Sequence, residues 1–174
     1  MVYLAKYFDN FEPNQMKQLI AEMLETAEPS IRFEILERFS DLTDCEDDVR
    51  SMLKLLEDDI DPCVRHEAAA QIYRIEEKKP HLMTSLRDQA IATLIDKAWN
   101  DDSTVVRHES IEVLGYLGDE RSLKDFRELA KDKNLDISST AEIALRTAQR
   151  RMAWGIGADT LCSDIIAHWQ NGTV

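Results

Sequence analysis

The stretch Asp61-Pro62-Cys63-Val64-Arg65-His66-Glu67 recurs as Ser103-Thr104-Val105-Val106-Arg107-His108-Glu109 and, earlier, as Glu28-Pro29-Ser30-Ile31-Arg32-Phe33-Glu34. A weaker fourth copy reads Asp136-Ile137-Ser138-Ser139-Thr140-Ala141-Glu142. The offsets are 33, 42 and 33 residues, which is the period of an array of helix pairs. Four columns align. A cap column holds Glu28, Asp61, Ser103 and Asp136, and an Arg column holds Arg32, Arg65 and Arg107, then Thr140. A variable column holds Phe33, His66, His108 and Ala141, and an acid column holds Glu34, Glu67, Glu109 and Glu142. Asp and Ser at an N-cap accept hydrogen bonds from orphan backbone N–H groups, and Pro29 and Pro62 fall at the first helical position, where proline costs no hydrogen bond. Each copy therefore opens a helix.

Between the copies the apolar spacing predicts a second amphipathic helix, over 46–58, 84–99 and 120–132. Val49, Met52, Leu53 and Leu56 show the i, i+3, i+4, i+7 pattern, and Leu86, Ala90 and Leu94 recur at i, i+4, i+8. No segment alternates strictly over six residues, so the chain reads as all-α. One helix pair cannot bury its apolar stripe alone, whereas stacked pairs can. The expected fold is a short α-solenoid of about four helix pairs over a single domain, residues 1–174, with caps at about 1–13 and 152–174. Leu161, Ile165 and Trp169 give the last cap one apolar face. The nine extra residues of the middle interval fall around Lys78-Lys79-Pro80-His81, a longer link.

The run from Asp102 to Asp119, with its Val-Arg, Leu-Gly and Gly-Asp, resembles a HEAT-like repeat of the short type found in phycobilin lyases. The resemblance covers roughly residues 14–151. It implies that the second helix of each pair lines a concave face, and that Arg32, Arg65 and Arg107 form an interrepeat Arg–Asp ladder. With Val64 at 0°, His66 lies at about 200° and Tyr73 at about 180°, opposite the core stripe. Phe33, His66 and His108, with Tyr73 nearby, would then line the groove.

His66-Glu67 and His108-Glu109 are similar to the His-Glu dyads of deoxyhypusine hydroxylases, HEAT-like enzymes that hold two irons between four such dyads. The resemblance implies His66, Glu67, His108 and Glu109 as metal ligands and iron as cofactor, imidazole plus carboxylate being suited to iron that activates oxygen. This chain has two dyads, and Phe33 and Ala141 stand in the outer units. The alternative is two solvated groove histidines in a protein that needs no cofactor.

The 174 residues carry 34 acidic and 21 basic side chains, a net charge of −13. That balance excludes grip on a nucleic-acid backbone and disfavours an anionic membrane. Gly is 5 and Pro is 4, too few for the turns of an all-β domain. Three scattered cysteines make no disulfide framework, and the start of the chain has no signal-peptide pattern, so a cytoplasmic setting is expected. The charge is local: residues 41–61 hold nine acids and two bases. Asp44, Asp47 and Asp48 begin a helix, where acids are favourable; Glu57, Asp58 and Asp59 end one, where they are not. A misplaced acid cluster suits a basic protein partner, because it steers encounter. Expected is a non-catalytic protein-binding module, in its concrete form an inhibitor or immunity protein that neutralises a basic enzyme. Its contact residues would be Asp44, Asp47, Asp48, Glu57, Asp58, Asp59, Phe33 and Tyr73. The alternatives are a metal-dependent hydroxylase using the His-Glu pairs and, from resemblance alone, a phycobiliprotein lyase or chaperone-like subunit.

Overall fold

The computed structural model describes residues 13–154, all of whose regular structure is helical. The expected end caps, with Leu161, Ile165 and Trp169, lie almost wholly outside the described residues. The helices are α1 (Pro13–Thr26), α2 (Pro29–Leu36), α3 (Phe39–Leu42), α4 (Glu46–Asp58), α5 (Pro62–Lys78), α6 (Arg87–Asn100), α7 (Thr104–Leu117), α8 (Ser122–Leu129) and α9 (Leu135–Trp154). The extra link between α5 and α6 contains a 3₁₀ turn, Pro80–Leu82.

These helices pair as α1/α2, α4/α5, α6/α7 and α8/α9, and α2, α5, α7 and α9 stack on one another as an inner row. This is the short α-solenoid that the repeat predicts. The core runs along both rows: Val49, Met52, Leu53 and Leu56 of α4, Val64, Ala68, Ile72 and Ile75 of α5, and Val106, Ile111 and Leu114 of α7 are all fully buried. Burial of apolar side chains supplies the main drive for stacking, at roughly 1.5–3 kcal/mol for a fully buried large aliphatic residue. The inner row is close because Gly115 of α7 has no side chain. A Cβ there would meet Ala144 of α9 at 2.9 Å. Gly118 ends α7 in the left-handed region, at φ 62°, a conformation that glycine adopts without strain.

Two expectations from the repeat are corrected. The fourth copy is out of register by two residues. Helix α9 begins at Leu135, and the Asn134 side chain accepts the N–H of Asp136, so Asn134 takes the place of Ser103 and Asp136 is not the cap. In this register Ile137 matches Val106, and Ala141 matches Ser110; all four are buried. Ser139, not Ala141, is the equivalent of His108, and exposed Glu142 leaves the acid column. The shared Glu invites the wrong alignment, whereas the buried series Ile137, Ala141, Ala144 and Ala148 fixes the right one. The second correction concerns the first unit, whose inner helix breaks after Leu36. Ser40 turns into the core, and its backbone N–H donates to Gln71 Oε1 of α5 at 3.0 Å.

Candidate functional site

Three arginines of the repeat each reach forward to an aspartate of the next unit. Arg32 binds Asp59 through Nε and Nη2, both at 2.7 Å. Arg65 binds Asp101 through Nε at 2.8 Å and Nη2 at 2.7 Å. Arg107 binds Asp132 at 2.5 Å. Each aspartate also accepts the backbone N–H two residues ahead, from Asp61, Ser103 and Asn134 respectively. One carboxylate thus ties an arginine to the turn that opens the next helix. Burial alone would raise the Asp101 carboxyl, but the Arg65 and Ser103 hydrogen bonds outweigh it and hold the group below its ordinary value. This is the expected Arg–Asp ladder, and it accounts for Asp59. That carboxylate is 4% exposed and belongs to the ladder, so it offers a partner no free charge.

The groove histidines face outward from the inner row, half-buried, as the helical wheel predicts. Each, however, reaches a partner in the following unit. His66 Nε2 lies 3.2 Å from Glu109 Oε2. His108 Nδ1 lies 2.9 Å from Thr140 Oγ1. In the corrected register Glu109 and Thr140 are equivalent, so these are one contact made twice. Residues adjacent in sequence diverge by about 100° on a helix, which is why His66 and its neighbour Glu67 do not act together. The Glu67 carboxylate, buried, accepts from Gln71 at 2.8 Å and from Arg74 at 2.5 Å. The hydrogen bond to Glu109 raises the His66 pKa above its ordinary value, against the opposing effect of burial.

The His-Glu resemblance implies iron, and these contacts test whether the residues fit it. They do not fit as one ligand set. Glu67 is committed to Arg74 and Gln71, while His66 and His108 point to different partners. Among the described residues the group whose ligand atoms converge within 4.8 Å is Asp44, Cys45 and Asp48, at the start of α4 and remote from the histidines. Asp48 there accepts the Thr43 hydroxyl and the Asp44 N–H, both at 3.1 Å, as a local cap.

Beyond His108 the groove deepens into a cavity of about 120 Å³ between α7 and α9. Glu112, Tyr116, Thr140 and Thr147 supply its polar wall. Tyr116 donates to Glu112 Oε1 at 3.2 Å, and its ring packs on Tyr73 with centroids 4.8 Å apart. Tyr73 is thus beside the cavity, and both Tyr73 and Phe33 are half-buried against the core. Sequence reading missed Tyr116, Thr140 and Thr147. The signal available for Tyr116 was its place one turn after Glu112; nothing in the degenerate fourth copy marked the threonines.

Acids of the 41–61 segment divide by role. Asp47 is 94% exposed, and Asp58 is exposed at the far end of α4. Glu57 accepts the Thr93 hydroxyl of α6 at 2.8 Å. A groove of about 470 Å³ runs beside α4, lined by Leu24, Glu25, Lys54, Leu55, Asp58 and Ile60, with the ladder pair Arg32 and Asp59 at its wall. Ile60 is 86% exposed. No helix among the described residues is long and apolar enough to cross a membrane.

Comparison with known proteins agrees with this architecture. Residues 81–151 match the family model for HEAT repeats. The structure of human deoxyhypusine hydroxylase in complex with glycerol is similar, with a TM-score of 0.63 and 23% identity; the match covers 82% of this chain and 46% of that one. A designed armadillo repeat protein is similar with a TM-score of 0.51 and 16% identity, over 74% of this chain and 63% of that one. The chain thus spans under half the length of the hydroxylase, and identities this low speak to fold alone. No curated protein matches the chain.

Proposed function

We propose that this HEAT-like module is a non-catalytic protein-binding unit whose partner presents a basic surface, as an inhibitor or immunity protein of a basic enzyme would require. The observation that carries the reading is the surface of α4. Asp47 and Asp58 are exposed carboxylates that take no part in the ladder, and Ile60 adds an exposed apolar side chain beside a groove. An apolar anchor beside Asp58, on a helix whose other end carries exposed Asp47, suits a basic surface patch, since the charges steer encounter and the anchor contributes to slow release. The hydroxylase resemblance does not lead, because its implied ligands are engaged elsewhere.

The test is affinity purification from the source organism with wild-type protein and with the Asp47→Lys, Asp58→Lys double variant. A basic protein retained by the wild type and lost by the variant supports the reading. Equal retention by both, with an unchanged association rate at low salt, overturns it. Stoichiometric iron in the purified protein, lost on His66→Ala and His108→Ala, would replace it with the metal-dependent hydroxylase.

A further inference from the structure

The cavity between α7 and α9 has an unusual proton inventory. Thr140 Oγ1 lies 2.6 Å from the Asp136 carbonyl, which can only accept, so the hydroxyl proton is spent there. His108 therefore carries a proton on Nδ1 and donates it to Thr140. Its Nε2 lies 3.5 Å from Glu112 Oε2. Thr147 donates its hydroxyl proton to the Ile143 carbonyl at 3.0 Å, and Tyr116 donates its own to Glu112. Thr140, Thr147 and Tyr116 have thus placed their hydroxyl protons on acceptors of the protein and turn oxygen lone pairs to the cavity beside the Glu112 carboxylate. Among the described residues no lysine or arginine lines it.

A wall of acceptors with one carboxylate calls for a ligand that is cationic and only donates. An ammonium has three N–H donors and a guanidinium five, in a planar fork. The two oxygens of Glu112 and Thr147 Oγ1 are acceptors for such a group, and the fork matches a carboxylate bidentately. Tyr116, braced by Tyr73, adds an aromatic wall on which a guanidinium packs favourably. At about 120 Å³ the space is well below the roughly 300–1,000 Å³ of a cofactor or drug-sized pocket.

We propose that this cavity seats the side chain of an arginine from the basic partner, with Glu112 as the bidentate acceptor, Thr147 as a further acceptor and Tyr116 as the aromatic wall. The inference rests on the reading of a module that binds a basic protein. The pocket itself is tested without that protein, by titrating n-propylguanidinium and n-butylammonium while following the His108 ring proton resonances, assigned with His108→Gln. Propylguanidinium should shift them saturably and bind roughly tenfold tighter than butylammonium. Glu112→Gln should weaken it by about tenfold, and the isosteric Thr147→Val by several-fold, with thermal melting unchanged. Absence of saturation, equal affinity for the two cations, or full binding by Glu112→Gln overturns the proposal. A silent pocket combined with partner loss in the Asp47/Asp58 variant removes this inference alone; a responsive pocket with partner retained removes the acidic surface of α4 alone.

Discussion

His66 Nε2 faces Glu109 Oε2 across 3.2 Å, from one repeat to the next, while the Glu67 that follows His66 in sequence bonds Arg74 and Gln71 instead. The pair gives stability a pH dependence of definite sign. His66 has its pKa raised above the ordinary 6.5, chiefly by the Glu109 hydrogen bond, with Glu67 adding and burial and Arg74 opposing. A group whose folded pKa is raised contributes stability that is fully present below the unfolded value and lost as pH rises through the folded one. Glu109→Gln should therefore lower the unfolding free energy by roughly 0.5–1 kcal/mol near about pH 5.5 and by much less near about pH 9. Urea denaturation of both proteins at several pH values checks this; a difference that grows with pH contradicts it.

Removing one member of the ladder leaves its partner buried with a charge. Asp101 is 2% exposed, so Arg65→Ala should cost about 3–5 kcal/mol, measured by chemical denaturation. Arg65→Lys should recover little of it, because an ammonium cannot reproduce the two-pronged contact. Arg107→Ala should cost less, since both Arg107 and Asp132 are partly exposed. The Asp101 contribution should also vanish in acid. Its carboxyl is held below the ordinary value, so the stability it supplies is lost as pH falls through that lowered value.

Asp58 and Asp59 are neighbours with opposite predicted behaviour. Asp58→Asn removes an exposed charge and should change stability by under about 0.5 kcal/mol. Asp59→Asn strips the charge from the Arg32 bridge and should cost about 2–4 kcal/mol. Thermal melts of the two variants side by side separate a surface acid from a ladder acid, and equal losses would contradict the division.

Gly115→Ala should destabilise by roughly 1–3 kcal/mol, even though alanine is the better helix former, because the new methyl meets Ala144 at 2.9 Å. The same displacement of α9 should weaken guanidinium binding, since Ala144 lines the cavity. Adding Ala144→Gly should restore part of both losses, a coupling that a double-mutant cycle reads directly.

Much of this was legible in the chain alone. The recurring Val-Arg-His-Glu segment and the 3.6-residue apolar period gave the helix pairs, and the interval 46–58 coincides with α4. Both are local: a helix start needs its cap and its core residue within one turn. The fourth copy was misread because a matching glutamate is a surface feature, whereas register follows the buried residues, here Ile137 and Ala141.

What the sequence by itself determined is the array of helix pairs and the outward face of His66 and His108, which follow from periodicity within a single helix; the ladder role of the arginines was implied by the resemblance. Only the tertiary structure decided their partners: Glu109 for His66, Thr140 for His108, Asp59 for Arg32. It also decided that Glu112, Tyr116 and Thr147 line one cavity beyond His108. Those contacts join residues 27 to 43 positions apart, and their geometry is set by how one unit is translated and rotated onto the next. That step depends on the packing of Gly115 against Ala144 and of their buried neighbours, a property no single helix carries.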